Sequence, residues 1–153
     1  MTRISPEAAE ELFGISASHE VMDSGERRFR LIDQNGLGYV RTEAGSFGGW
    51  QNSHFHKLLV ETYIVQSGWI AVATISENSV VEIEILKSGN IWTAPIDLAH
   101  NVYMAASSVT HTVKHGVGSA NDWQTSIKTI RLDAMTKHLD AEQIFALAIS
   151  KRI

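Results

Sequence analysis

The stretch GGWQNSHFHKLLVETYIVQSG, residues 48–68, decides how this chain is read. His54 and His56 are separated by one residue, and on an extended strand that spacing sends both imidazoles to one face. Glu61 follows five residues after His56, at the entry to the run Glu61 to Gln66. Ser67-Gly68 breaks that run, and Trp69 to Ile75 resumes as a strand. Downstream, GNIWTAPIDLAHNVYM, residues 89–104, places His100 just past Pro95 at the start of another strand. Each piece alone has a plainer reading: surface or polar-core histidines, and a solvent-facing glutamate. Together, three neutral imidazoles and one carboxylate suit a first-row divalent cation. One carboxylate against a 2+ ion leaves about one net positive charge, which favours an anionic or chelating ligand at open positions.

These stretches resemble the two motifs of the cupin superfamily. The first motif is a glycine, five residues, H-x-H, three or four residues, a glutamate, six residues and a glycine. Gly48, His54, His56, Glu61 and Gly68 meet every fixed position. The second is a glycine, five residues, P-x-G, two residues, a histidine, three residues and an asparagine. Gly89, Pro95 and His100 fall in place, whereas Asp97 stands for the motif glycine and Met104 for the asparagine. Aspartate tolerates a left-handed turn better than most residues, so the first departure is expected to keep the backbone. The second alters how the strand end packs and removes no ligand.

The resemblance implies an all-β, RmlC-like fold: an antiparallel cupin-type jelly-roll barrel with a metal inside its mouth. It carries His54, His56, Glu61 and His100 over as ligands of one divalent transition metal (Fe, Mn, Zn, Ni or Co), with a small molecule as substrate. It also implies a homodimer. The superfamily includes dioxygenases, isomerases, epimerases, decarboxylases, lyases, storage proteins and sensors, so fold alone selects no reaction.

Outward from the motifs, the texture stays β. Arg28 to Asp33 alternates, Gln34-Asn35-Gly36 turns, and Leu37 to Thr42 returns, a hairpin signal. Val80 to Leu86 alternates with Glu82 and Glu84 outward. His100 to Met104 and Val109 to Lys114 form a further pair, and Ile127 to Arg131 is expected to close the set of strands. Short helices are expected at both ends. Ser5 caps the first, with Pro6 in its first turn and Gly14 as its stop. Asp140 caps the last, with Gln143 three residues later and Ile144, Leu147 and Ala148 on one face. The glycine-rich, polar segment Gly116 to Asp122 reads as the most mobile loop. The 153 residues form one domain, 1–153, with the barrel core at about 26–131.

Composition excludes several classes. No cysteine occurs, which removes disulfides, thiolate metal sites and cysteine nucleophiles. The formal charge is −4 with no run of Lys and Arg, so the footprint of a nucleic-acid binder is missing. No apolar stretch approaches the roughly 18 residues of a membrane span. The acidic N-terminal stretch lacks the greasy run of a signal peptide, which points to a cytoplasmic protein.

Beyond the ligands, valines alternate with threonines across Val109 to Lys114, so His111 is expected on the inward face. There it is either a hydrogen-bonded core histidine or a base beside the metal. Tyr63 shares strand parity with Glu61 and is either a satisfied core tyrosine or a phenol offered to substrate. Tyr103 has the opposite parity to His100 and is expected to face away. Trp50 is expected to roof or plug the barrel end, and Trp92 and Trp123 suit either core or a dimer contact. The favoured function is metal-dependent chemistry on a small oxygen-rich substrate, a sugar or keto acid, of isomerase, epimerase or lyase type. His111 or Tyr63 would move protons. Polar residues near the motifs (Gln51, Asn52, Ser53, Thr110, Thr112) favour hydroxylated substrates over aromatic rings. The alternatives are an iron-dependent dioxygenase and a non-catalytic small-ligand-binding cupin.

Overall fold

The computed structural model describes residues 1–150. Helix α1 (Pro6–Phe13) is followed by β1 (Ile15–Val21), β2 (Arg27–Asp33), β3 (Gly38–Glu43), β4 (Gly49–Trp50), β5 (Leu59–Ser67) and β6 (Trp69–Ile75). Then come β7 (Val81–Lys87), β8 (Ile91–Ala94), β9 (His100–Met104), β10 (Val109–Gly116), α2 (Ile127–Thr136) and α3 (Ala141–Ser150). One sheet has the order β1-β2-β3-β10-β5-β8 and the other β4-β9-β6-β7. All pairings are antiparallel, and the two sheets face each other as an open jelly roll.

Local chemistry accounts for the ends of the elements. Ser5 Oγ accepts from Ala8 N, and Gly14 ends α1 in the left-handed region at φ 65°. Asp33 Oδ1 accepts from both Asn35 N and Leu37 N, which folds the β2–β3 turn. Asp140 and Gln143 exchange side-chain and backbone hydrogen bonds at the start of α3.

Packing explains why β6 and β9 are buried along almost their whole length. One face of their sheet contributes Ile70, Val72, Val102 and Met104 to the inter-sheet core with Tyr63, Val65 and Leu86. The other face is covered by the C-terminal helices through Leu132 and Ile144, both fully buried. A sheet covered on both sides loses the alternation of a half-solvated strand.

One expectation is corrected, and one strand lacked a sequence signal. Ile127 to Arg131 is helical, inside α2, because Ser126 and Thr129 form a reciprocal cap and Thr129, Leu132 and Thr136 bury one helical face. Strand β1 is an added edge strand whose mostly exposed residues carry no alternating apolar signal. The strands run from Ile15 to Gly116. No helix among the described residues is long and apolar enough to cross a membrane.

Candidate metal centre

Two backbone devices assemble the cluster. His54 and His100 form an isolated antiparallel bridge, His54 N to His100 O at 3.1 Å and the reverse at 3.0 Å, which brings distant parts of the chain side by side. Asp97 takes φ 63° and donates its N–H to His56 O at 2.7 Å. Aspartate thus holds the left-handed turn where the motif has glycine, as expected. Strand β5 supplies Glu61 and Tyr63 from its inner face.

His54, His56, Glu61 and His100 are all buried. Glu61 Oε2 lies 3.2 Å from His54 Nε2 and 3.3 Å from His100 Nε2, and Oε1 lies 3.4 Å from His56 Nε2. The donor atoms of His54, Glu61 and His100 lie within 4.8 Å of one another, and His56 joins through the other carboxylate oxygen.

The far side of each ring sets its chemistry. Nδ1 of His54, His56 and His100 faces the carbonyl oxygens of Asn52 (3.0 Å), Asp122 (2.8 Å) and Leu98 (3.0 Å). A carbonyl only accepts, so each Nδ1 carries a hydrogen, and Nε2 is the atom through which each ring would bind a cation. Three Nε2 atoms converging on a carboxylate are a donor set for a cation, held by the outer hydrogen bonds that metal-ligating histidines use. His56 Nε2 is the one buried side-chain polar atom without a hydrogen-bond partner among the described residues. Native interiors leave few such atoms, and a metal ion would satisfy this one. The residues present fit a divalent metal.

With no cation between them, the same Nε2 atoms are hydrogen-bond partners of the Glu61 carboxylate. Burial pushes the Glu61 carboxyl up, but the surrounding imidazoles and the Lys114 ammonium outweigh it and hold the group well below the usual carboxylate range. Burial lowers His54, partly offset by Glu61. Burial and the Glu61 charge push Tyr63 well above the ordinary phenol value, with Arg28 acting in the opposite sense. Tyr63 Oη donates to Glu61 Oε2 at 2.8 Å, so the phenol is a standing donor rather than a base.

A cavity of about 160 Å³ opens beside the cluster. Its β10 wall is Thr110, Thr112 and Lys114, with Lys114 Nζ 2.9 Å from Glu61 Oε1. The expected parity of β10 is therefore reversed. His111 lies on the outer face, where Nδ1 meets Tyr39 Oη at 2.6 Å and Nε2 meets Gln66 Oε1 at 2.7 Å. The inner face of β10 borders a polar cavity, so the valines mark the outer side of the sheet. Trp50 does not roof the cavity; its Nε1 donates to Leu139 O and its ring packs on Tyr103, which faces away from the cluster as expected. The roof is Trp123, stacked on His54 at 5.4 Å, while Trp92 packs against Tyr63 and His100.

Two supporting acids carry no sequence signal of their own. The Asp122 carboxylate accepts from Lys57 N, Leu58 N and Leu59 N, so the end of the segment expected to be mobile is a buried clamp. Asp133 Oδ1, on α2, accepts from Ser53 N, Ser53 Oγ and Asn101 Nδ2, tying the helix to both histidine-bearing segments. Lys114, Arg28 and Arg30 line the cavity and likewise belong to no motif.

No family model matches the chain, and no curated protein matches it by sequence. Among solved structures it is similar to KdgF from Halomonas sp., with 17% identity, TM-score 0.52, and coverage of 63% of this chain and 84% of that one. It is similar to a single-residue variant of oxalate decarboxylase from B. subtilis, with 17% identity, TM-score 0.57, and coverage of 86% of this chain. That match spans only 37% of the oxalate decarboxylase chain. The Drosophila melanogaster CENP-C cupin domain matches at 12% identity and TM-score 0.54, over 65% of this chain and 75% of that one.

Proposed function

Starting from the cupin fold that these likenesses share with this chain, we propose a metal-dependent enzyme acting on a small oxygen-rich molecule. The reaction is of isomerase, epimerase or lyase type on a sugar or keto acid. The observation that carries this reading is the orphaned Nε2 of His56, one of three imidazole nitrogens gathered on Glu61 beside a small polar cavity. His54, His56, Glu61 and His100 would hold the ion. A divalent ion there supplies Lewis-acid polarisation of a substrate oxygen.

The chain's own residues supply the rest. Tyr63 and Lys114 flank Glu61 and present a phenol and an ammonium as proton donors beside a bound oxygen. Thr110 and Thr112 offer hydroxyls to substrate oxygens along the β10 wall. Trp123 limits water access from above His54. His111 has no part in this scheme, because its ring is on the other side of the sheet.

Elemental analysis of untagged protein is the first test, with about one divalent ion per chain expected. Protein loaded anaerobically with Fe(II) or Mn(II) is then screened on sugars, keto acids and catechols, with and without oxygen. Turnover of a sugar or keto acid without oxygen is expected. Failure to take up Mn, Fe, Ni or Zn sinks the metal assignment, and oxygen consumption with ring-opening of a catechol replaces the reading with dioxygenation.

A further inference from the structure

The wall of the cavity opposite the cluster is cationic. Strand register builds it in rows across one sheet. Arg28 lies beside Thr42, which lies beside Thr110 and then Val65. Arg30 lies beside Val40, then Thr112, then Tyr63. Lys114 lies beside Glu61. Cross-strand neighbours share a face, so both arginines are on the face that carries the carboxylate ligand. Strands β2 and β5 stand three sheet spacings apart, roughly 14 Å, and both arginines reach the same cavity as Glu61. Arg28, Arg30 and Lys114 line it against a single carboxylate, Glu61.

Lys114 is already engaged by Glu61, whereas the arginines keep donors in reserve. Glu26 takes the Nε hydrogen of Arg28 at 2.5 Å, which leaves both Nη groups without a partner among the described residues. Glu20 pairs with Nη1 of Arg30. Neither glutamate lines the cavity, so they brace the arginines from outside it. A planar guanidinium with two free parallel N–H groups matches a carboxylate in bidentate fashion. A cavity of about 160 Å³ has room for a small organic molecule.

We propose that the cavity takes a small carboxylate-bearing molecule, its carboxylate held by Arg28 and Arg30 while its remaining oxygens face the Glu61 cluster. This rests on the proposed metal-dependent function and narrows its substrate from sugars and keto acids together to the acid. The arginines make this choice, because each keeps N–H donors that its glutamate partner does not take and that a carboxylate accepts in bidentate fashion.

Binding, rather than turnover, tests it. Pyruvate and dihydroxyacetone have the same number of non-hydrogen atoms and differ in the carboxylate. Their dissociation constants are measured by calorimetry on zinc-loaded and on chelator-treated protein. Pyruvate is expected to bind at least about tenfold more tightly than dihydroxyacetone, and Arg28→Gln or Arg30→Gln to erase that preference. Arg27→Gln, on the outer face and paired with Glu43, is expected to leave it within about twofold. Should a glutamine variant fail to fold, Arg28→Lys keeps the charge, loses the fork, and is expected to weaken pyruvate by about tenfold. Equal binding of the two probes, unchanged pyruvate affinity in both glutamine variants, or tighter binding of inorganic phosphate than of pyruvate overturns the proposal. A protein that takes no zinc yet keeps an arginine-dependent preference for pyruvate overturns the metal reading and leaves this one standing.

Discussion

Asp122 holds the His56 segment through both its backbone and its side chain. Its backbone oxygen accepts the Nδ1 hydrogen of His56 at 2.8 Å, while its carboxylate gathers the N–H groups of Lys57, Leu58 and Leu59 just beyond that histidine. The loop thus fixes both the ring and the chain that follows it. Asp122→Ala removes the clamp and leaves the carbonyl free to drift. We expect a loss of about 2 kcal/mol in unfolding free energy and about tenfold in metal affinity. Urea titration and chelator competition measure the two; an unchanged metal affinity would show that His56 is oriented without the clamp.

Glu61 is the only anion among the four ligand candidates, so Glu61→Gln keeps the shape and removes the charge. Wild-type protein is expected to retain metal through desalting, and the variant to lose it, with affinity reduced by more than about 100-fold. Metal content of the two proteins prepared side by side decides the matter. Equal content would mean that the imidazoles bind without the carboxylate.

His111→Ala provides the contrast. It removes hydrogen bonds to Tyr39 and Gln66 on the outer face, at a cost of about 1 kcal/mol in stability. Metal content and affinity are expected to match wild type. Loss of metal from this variant would place His111 on the cavity side and contradict the strand register.

The motif residues, the β2–β3 hairpin and the caps of α1 and α3 are legible in the sequence because each depends on a short stretch of chain. The face of β10 is not, because alternating valines signal a core only where the opposite face meets water. Here the opposite face, Thr110 and Thr112, meets a cavity and is the more buried one. Arg28 and Arg30 are hidden for a related reason. Their approach to Glu61 depends on the register of four strands, which no local pattern encodes. Asp122 sits in a glycine-rich stretch whose composition describes its first residues and not its last. Helix α2 reads as a strand because Ile127, Thr129 and Ile130 favour one, and the Ser126 cap and the buried Leu132 override that preference.

Acid should loosen the metal-free protein in two stages. His54 is held below its ordinary value by burial, and Glu61 well below its own, so for both groups the unfolded chain binds more protons than the folded one as pH falls. The His54 contribution is complete above its unfolded value of 6.5 and is lost as pH falls through the depressed folded value. That of Glu61 is complete above 4.5 and lost below it in the same way. Urea midpoints of chelator-treated protein between about pH 7.5 and 2.5 should fall in that order. His54→Gln should flatten the upper stage; an upper stage of unchanged steepness in that variant would assign it to another group.

Asp97 tests whether the turn beneath His56 is held in the left-handed region. Its φ of 63° costs an ordinary L-residue roughly 1 kcal/mol or more, less for aspartate and nothing for glycine. The position is exposed, so the side chain makes no core contact that a substitution would confuse with backbone strain. Its N–H must still reach His56 O at 2.7 Å, which ties the backbone angle to the metal-centre loop. Asp97→Gly removes the residual strain and adds freedom to the unfolded chain, so the two effects nearly cancel and stability stays within about 0.5 kcal/mol. Asp97→Val places a β-branched residue at positive φ and should cost about 2 kcal/mol, because the turn must either bear the strain or give up the hydrogen bond. Urea midpoints with an unchanged m-value report the difference. A valine variant as stable as wild type would mean that the turn adopts another conformation in solution and that the match of Asp97 to the motif glycine is one of position only.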